Sequence, residues 1–85
     1  PPTLTTTAAA LTAIAQEAEK TGAQILSASM LPGYISGRAE TEDGLRALAS
    51  HLGLPEPGWG GLTLKTEGPY AGVYVTILHH ARAAS

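Results

Sequence analysis

The order of patterns along this chain constrains its fold more than its composition does. A helix-forming run is followed by two strand-like runs, and then the same order comes again. The helix Leu11-Thr12-Ala13-Ile14-Ala15 has an echo in Leu45-Arg46-Ala47-Leu48-Ala49. This order predicts an αββ unit used in tandem, which would let a short chain close one sheet beneath two helices. Ala/Leu helices match one another easily, and Pro55 to Gly61 has no counterpart in the first unit. The fold expectation therefore stands with or without a duplication.

Helix boundaries are the best-marked features. Pro1 to Thr6 reads as a flexible lead, and Thr6 or Thr7 can offer an N-cap hydroxyl to a helix running to about Thr21. Leu11, Ile14, Ala15 and Ala18 share one face of that helix, with Lys20 in its last turn and Gly22 at C′. Thr41 caps a second helix whose first turn carries Glu42 and Asp43, where carboxylates complement the helix dipole. Its stripe is Leu45, Leu48, Ala49 and Leu52; Gly53 ends it and Pro55 keeps it from resuming.

Each helix leads into a hairpin. Gln24 to Leu31 and Tyr34 to Glu40 alternate on either side of the turn Pro32-Gly33. Leu62 to Glu67 and the β-prone run Val73 to His80 flank the turn Gly68 to Gly72. Pro55 to Gly61 reads as a Pro/Gly loop carrying the only tryptophan, and residues 81–85 as a frayed tail. The expectation is a single α+β domain over residues 1–85 in αββαββ order. It has a four-stranded, largely antiparallel sheet with both helices packed on one face.

At 85 residues such a domain has a small core, and its aromatics are only Trp59, Tyr34, Tyr70 and Tyr74. Leu, Ile, Val and Ala must then supply the burial, at roughly 1.5–3 kcal/mol per large aliphatic side chain. Backbone ordering opposes this at about 1–2 kcal/mol per residue, so oligomerisation is a natural source of further stability. Five Lys plus Arg against seven Asp plus Glu give a net charge of −2, which disfavours indiscriminate capture of nucleic acid phosphates. The chain has no cysteine, which excludes disulfides, thiolate zinc sites and cysteine nucleophiles. No apolar run approaches the ~18 residues of a membrane span, and Pro1 to Thr7 lacks the basic start of a signal peptide. A cytoplasmic location is the default expectation.

The run Leu45-x-x-Leu48-Ala49-x-x-Leu52-Gly53-Leu54-Pro55, followed by Tyr70-x-Gly72-Val73-x-Val75, resembles small uncharacterised proteins of GC-rich Gram-positive bacteria and their phages and plasmids. The resemblance covers about the C-terminal half and consists of a helix stop and a hairpin. It implies a phage or mobile-element setting, and it carries over no activity and no catalytic residue.

No group of residues specifies a reaction. His79 and His80 are adjacent in a strand and point to opposite faces, so they do not share a metal ion, and no spacing joins either to His51. Gly58-Trp59-Gly60-Gly61 follows a helix and precedes a strand, the reverse of a phosphate loop. It reads either as a mobile rim presenting Trp59 to a ligand or partner or as a tryptophan folded over the core. Glu40, Glu42 and Asp43 cluster without an apolar pocket to raise a pKa, and Ser27, Ser29 and Ser36 lack a matched base. Neither a catalytic site, a metal site nor a cofactor is expected.

The sheet face turned away from the helices is the expected functional surface. With Leu26, Met30, Ile35, Leu62, Leu64, Val73, Val75 and Ile77 toward the helices, the other face shows Ile25, Tyr34, Arg38, Lys65, Tyr74 and Leu78 among small polar residues, with Leu31 nearby. Aromatic and aliphatic groups interleaved with polar ones suit a contact surface. The expectation is a non-enzymatic, homodimeric interaction or regulatory module that binds a macromolecular partner there. An alternative is single-stranded nucleic acid stacked on Tyr34 and Tyr74, with Arg38 and Lys65 tracking phosphates. Another is a small ligand beside Trp59.

Overall fold

The computed structural model describes residues 1–81. The elements are α1 (Leu4–Thr21), β1 (Ile25–Leu31), β2 (Tyr34–Ala39), α2 (Glu42–Leu52), β3 (Gly58–Gly60), β4 (Thr63–Tyr70) and β5 (Val73–His80). Two helices lie over one five-stranded sheet of order β1-β2-β5-β4-β3. The α+β class and the order of helices and hairpins agree with the sequence expectation. The sheet differs in two ways: Gly58–Gly60 adds a fifth strand, and the central β2–β5 pair is parallel. The tail expected at 81–85 lies, after Ala81, outside the described residues.

Helix ends follow local chemistry. Gly22 (φ 76°) and Gly53 (φ 71°) both take the left-handed conformation that spares glycine a Cβ clash. The next N–H then reaches back five residues, from Ala23 to the Ala18 carbonyl and from Leu54 to the Ala49 carbonyl, each at 2.9 Å. Thr41 caps α2 as its sequence predicts, its hydroxyl accepting from the Gly44 N–H at 3.0 Å. At α1 the expectation needs correction, because the helix begins at Leu4 and its N-cap is Thr3, not Thr6 or Thr7. Thr3 and Thr6 bond reciprocally through hydroxyl and backbone N–H, which satisfies the helix start about a turn earlier and shortens the lead to Pro1–Thr3.

One connected core lies between the helices and the sheet. It joins Ala10, Ile14 and Ala18 of α1 and Leu45, Leu48, Ala49 and Leu52 of α2 to Ile35, Ala39, Leu64, Val73, Val75 and Ile77. The α2 stripe is the expected one. On α1 the buried stripe is Thr7, Ala10, Ile14 and Ala18, rotated toward α2, while Leu11 is half-buried and Ala15 exposed. Leu26 and Leu62, expected in the core, are 47% and 63% exposed. Leu26 is the extra residue of a β-bulge between Ile25 and Ser27, and Leu62 sits in the β3–β4 turn.

The topology also bears on duplication. Both helices cover the same face, and β2 and β5 run parallel at the centre, yet β1 flanks β2 on one side and β4 flanks β5 on the other. Superposing β2 on β5 with the helix face preserved carries β1 away from β4. The two αββ units are therefore mirror arrangements that no rotation superimposes. The Ala/Leu echo reflects two amphipathic helices on one core.

Buried polar contacts fix the ends of the layers. Thr7 is fully buried; its hydroxyl donates to the Thr3 carbonyl at 2.7 Å and accepts from the Gly33 N–H at 2.8 Å, fastening the start of α1 to the β1–β2 turn. The Thr66 hydroxyl donates to the Pro55 carbonyl, and a Cβ on Gly68 would lie 3.3 Å from Pro55 Cδ. The exit of α2 thus rests on a strand segment made of small groups. Arg46 extends the tether, bonding Glu42 at 3.0 Å and the Pro57 carbonyl at 3.4 Å. Glu17 of α1 meets His51 Nδ1 of α2 at 3.2 Å and Lys20 at 3.3 Å; the His51 hydrogen bond, then that of Lys20, lowers the Glu17 pKa.

Thr7→Val keeps the side-chain shape but leaves the Gly33 N–H without its acceptor. Chemical denaturation is expected to show a loss of about 1–3 kcal/mol, with Thr7→Ser close to wild type; a neutral Thr7→Val would contradict the fastening. For Glu17, a lowered folded pKa means that its stabilisation is present above the unfolded value of about 4.3 and is lost as pH falls through the folded value. Melting temperatures of wild type and Glu17→Gln should differ at neutral pH and converge in acid. A gap that persists below the folded pKa would show that the carboxylate charge is not its source.

Candidate functional site

Parallel pairing of β2 with β5 builds the sheet face turned away from the helices. Its register sets Tyr34 beside Tyr74, Ser36 beside Thr76 and Arg38 beside Leu78. The antiparallel ladders on either side extend each row. One row reads Leu31, Tyr34, Tyr74, Pro69; the next Ser29, Ser36, Thr76, Glu67; a third Ser27, Arg38, Leu78, Lys65, Gly58. Directly opposed residues share a face, so these rows form one continuous surface. Among the described residues the helices lie on the other side.

The tyrosine row is apolar and ordered. The two rings stack at 6.4 Å between centroids with 12° between planes. The Tyr34 hydroxyl donates to Thr76 Oγ1 at 3.2 Å, which fixes the first ring and buries Thr76 although it belongs to the open face. Tyr74 remains 45% exposed and Leu31 65% exposed. Such geometry gives a preformed platform whose rings lose little freedom on binding. In the third row Leu78 is half-buried between Arg38 and Lys65. Lys65 lies 3.8 Å from Glu67, whereas Arg38 is exposed and has no ion-pair partner among the described residues.

Of the residues expected on this face, Leu31, Tyr34, Arg38, Lys65, Tyr74 and Leu78 are brought together. Ile25 is not. It pairs with buried Ala39 and packs against the core, because the bulge at Leu26 shifts the alternation by one. Glu67 and Pro69 join the face beyond the sequence expectation. Their signal is present in the chain, since alternation from Thr63 and Lys65 continues through Glu67 to Pro69 once the strand is carried to Tyr70.

The tryptophan segment is a strand, not a loop. Trp59, 46% exposed, pairs with Leu64 and so stands on the helix side of the sheet, where its ring meets His79 edge-on at 6.4 Å. Gly58 and Gly60 pair with Lys65 and Thr63 at the sheet edge, and Gly61 turns the chain. Gly58, Trp59, Gly60, Thr63 and Lys65 line an open cavity of about 290 Å³. His79 Nδ1 donates to the Ala39 carbonyl at 3.2 Å, and His80 meets the Thr63 hydroxyl at 3.1 Å, on opposite faces of β5. Among the described residues no three His, Cys, Asp or Glu side chains converge on a metal position.

Comparison with models of known protein families, with curated proteins and with solved structures finds no match in any of the three. Among the described residues no helix is long and apolar enough to cross a membrane.

Proposed function

We propose that this chain is a non-enzymatic interaction module that binds another protein through its open sheet face, in a regulatory or accessory role. One observation carries the reading: Tyr34 and Tyr74, 40 positions apart in the chain, stand as a stacked pair on a face that no described element covers. Leu31 and Pro69 extend that pair across four strands, with Glu67 on the next row and Arg38 on the row beyond it. Aromatic side chains of this kind, flanked by polar groups that hold register, are the usual anchors of protein interfaces.

Single-stranded nucleic acid is less well supported. Stacking would draw on the tyrosines, but Lys65 is paired with Glu67 and the chain carries a net charge of −2, so phosphate attraction is weak. Trp59 stands on the opposite side of the sheet and does not contribute to either reading.

Affinity capture with the wild-type chain and with Tyr74→Glu, each identified by mass spectrometry, tests the proposal. Proteins retained by wild type and lost with a folded Tyr74→Glu variant are the expected result, with loss of at least about 1.4 kcal/mol, or tenfold, in subsequent titration. The same proteins retained by both would remove the face from consideration. Salt-dependent oligonucleotide binding lost in Tyr74→Glu would instead favour nucleic acid.

A further inference from the structure

We infer that β1 pairs edge to edge with β1 of a second copy of this chain, antiparallel about a two-fold axis near Ser29, and that the two sheets continue as one. The inference is independent of what binds the open face.

The edges of this sheet are treated differently. At one side β3 has only three residues, and beyond it the free part of β4 carries Glu67 and Pro69. A short strand, a charge and a proline are the devices by which edges avoid pairing. At the other side β1 runs seven residues as Ile-Leu-Ser-Ala-Ser-Met-Leu, with neither a charge nor a proline. Its bulge is confined to the Ile25–Ser27 end, which leaves Ser27–Leu31 in regular register. An edge strand turns the N–H and C=O of every second residue outward, and among the described residues no strand meets those of β1.

Charge points to a second copy as the occupant. Residues 21–37 contain no charged side chain, so a two-fold axis through this edge opposes no like charges. Ser27, Ala28 and Ser29 are exposed and small, and they admit a neighbouring strand on both sides of the pleat. Above the edge, helical spacing places Leu4, Ala8, Leu11 and Ala15 in a stripe on the side of α1 away from α2, opposite Glu17, which meets His51. These four are uncharged, Glu19 following Ala15 at the Ile25 end of the strand, and the alanines leave room for the same helix of the partner copy. An axis perpendicular to the sheet keeps both helix layers on one side. The two open faces then lie side by side on the other, across ten strands made of two five-stranded sheets.

Light scattering during size exclusion, across a concentration series, measures the assembly of wild type, Ser29→Lys and Tyr74→Glu. The expected result is a wild-type dimer, at least about tenfold weaker in Ser29→Lys, where two lysines meet at the axis, and unchanged in Tyr74→Glu. Amide hydrogen exchange on wild type gives a second readout that does not depend on a variant folding: protection of alternate amides in Ser27–Leu31 should rise with concentration. A monomer at every concentration, a dimer that a folded Ser29→Lys leaves intact, or a dimer dissociated by Tyr74→Glu overturns the inference. Edge protection that requires a different added protein overturns it in favour of strand addition by that partner.

Discussion

Core and candidate surface both follow from the parallel pairing of β2 with β5. Parallel neighbours cannot be joined by a tight turn, so the chain between them must cross over, and it does so through α2, β3 and β4. The crossover places α2 on the same side as α1 and sets Ile35 beside Val75 under both. With the core fixed on that side, the residues between must face outward. Tyr34, Ser36 and Arg38 therefore meet Tyr74, Thr76 and Leu78 on the open face, and the two layers are opposite sides of one register.

The polar contacts act as supports for that pairing. Thr7 ties the start of α1 to the turn that introduces β2, and the backbone carries the connection on, since the Tyr74 N–H donates to the Gly33 carbonyl at 2.9 Å. Thr66 and Gly68 receive the α2 exit on β4, the strand that flanks β5 from the other side. In a core with few large side chains, such tethers hold layers together where burial alone gives little surplus. The β4–β5 turn bears the opposite mark: Ala71 is left-handed (φ 51°) beside Gly72 (φ 82°), a turn in which both central residues take positive φ and which suits the strand twist at some local cost to alanine.

What was legible in the sequence was local. Thr41, Gly22, Gly53 and the α2 stripe could be read because caps and periodicity act within a few residues, and the hairpins because Pro32-Gly33 and Gly72 punctuate alternating runs. The alternation also assigned Tyr34, Arg38, Lys65, Tyr74 and Leu78 to their region of the fold, with Leu31 expected beside it. Sheet order was not legible, since the β2–β5 pairing joins positions 40 apart and leaves no signature in either strand. The bulge at Leu26 hid in a weakly alternating run and took Ile25 with it. Gly58–Gly60 read as a loop because its composition opposes a strand; tertiary pairing with Thr63–Lys65 prevails there, with Trp59 supplying contact to the otherwise bare segment.

Interstrand nuclear Overhauser effects between β2 and β5 in the labelled protein would decide whether this register exists in solution. Parallel pairing predicts cross-peaks linking the backbone of Ile35 with Val75 and of Gly37 with Ile77, together with contacts between the Tyr34 and Tyr74 side chains. An antiparallel pattern between these strands, or β2 paired with β4, would contradict it. The stacked tyrosines would then have no common face, and the surface built on them would fall with the register.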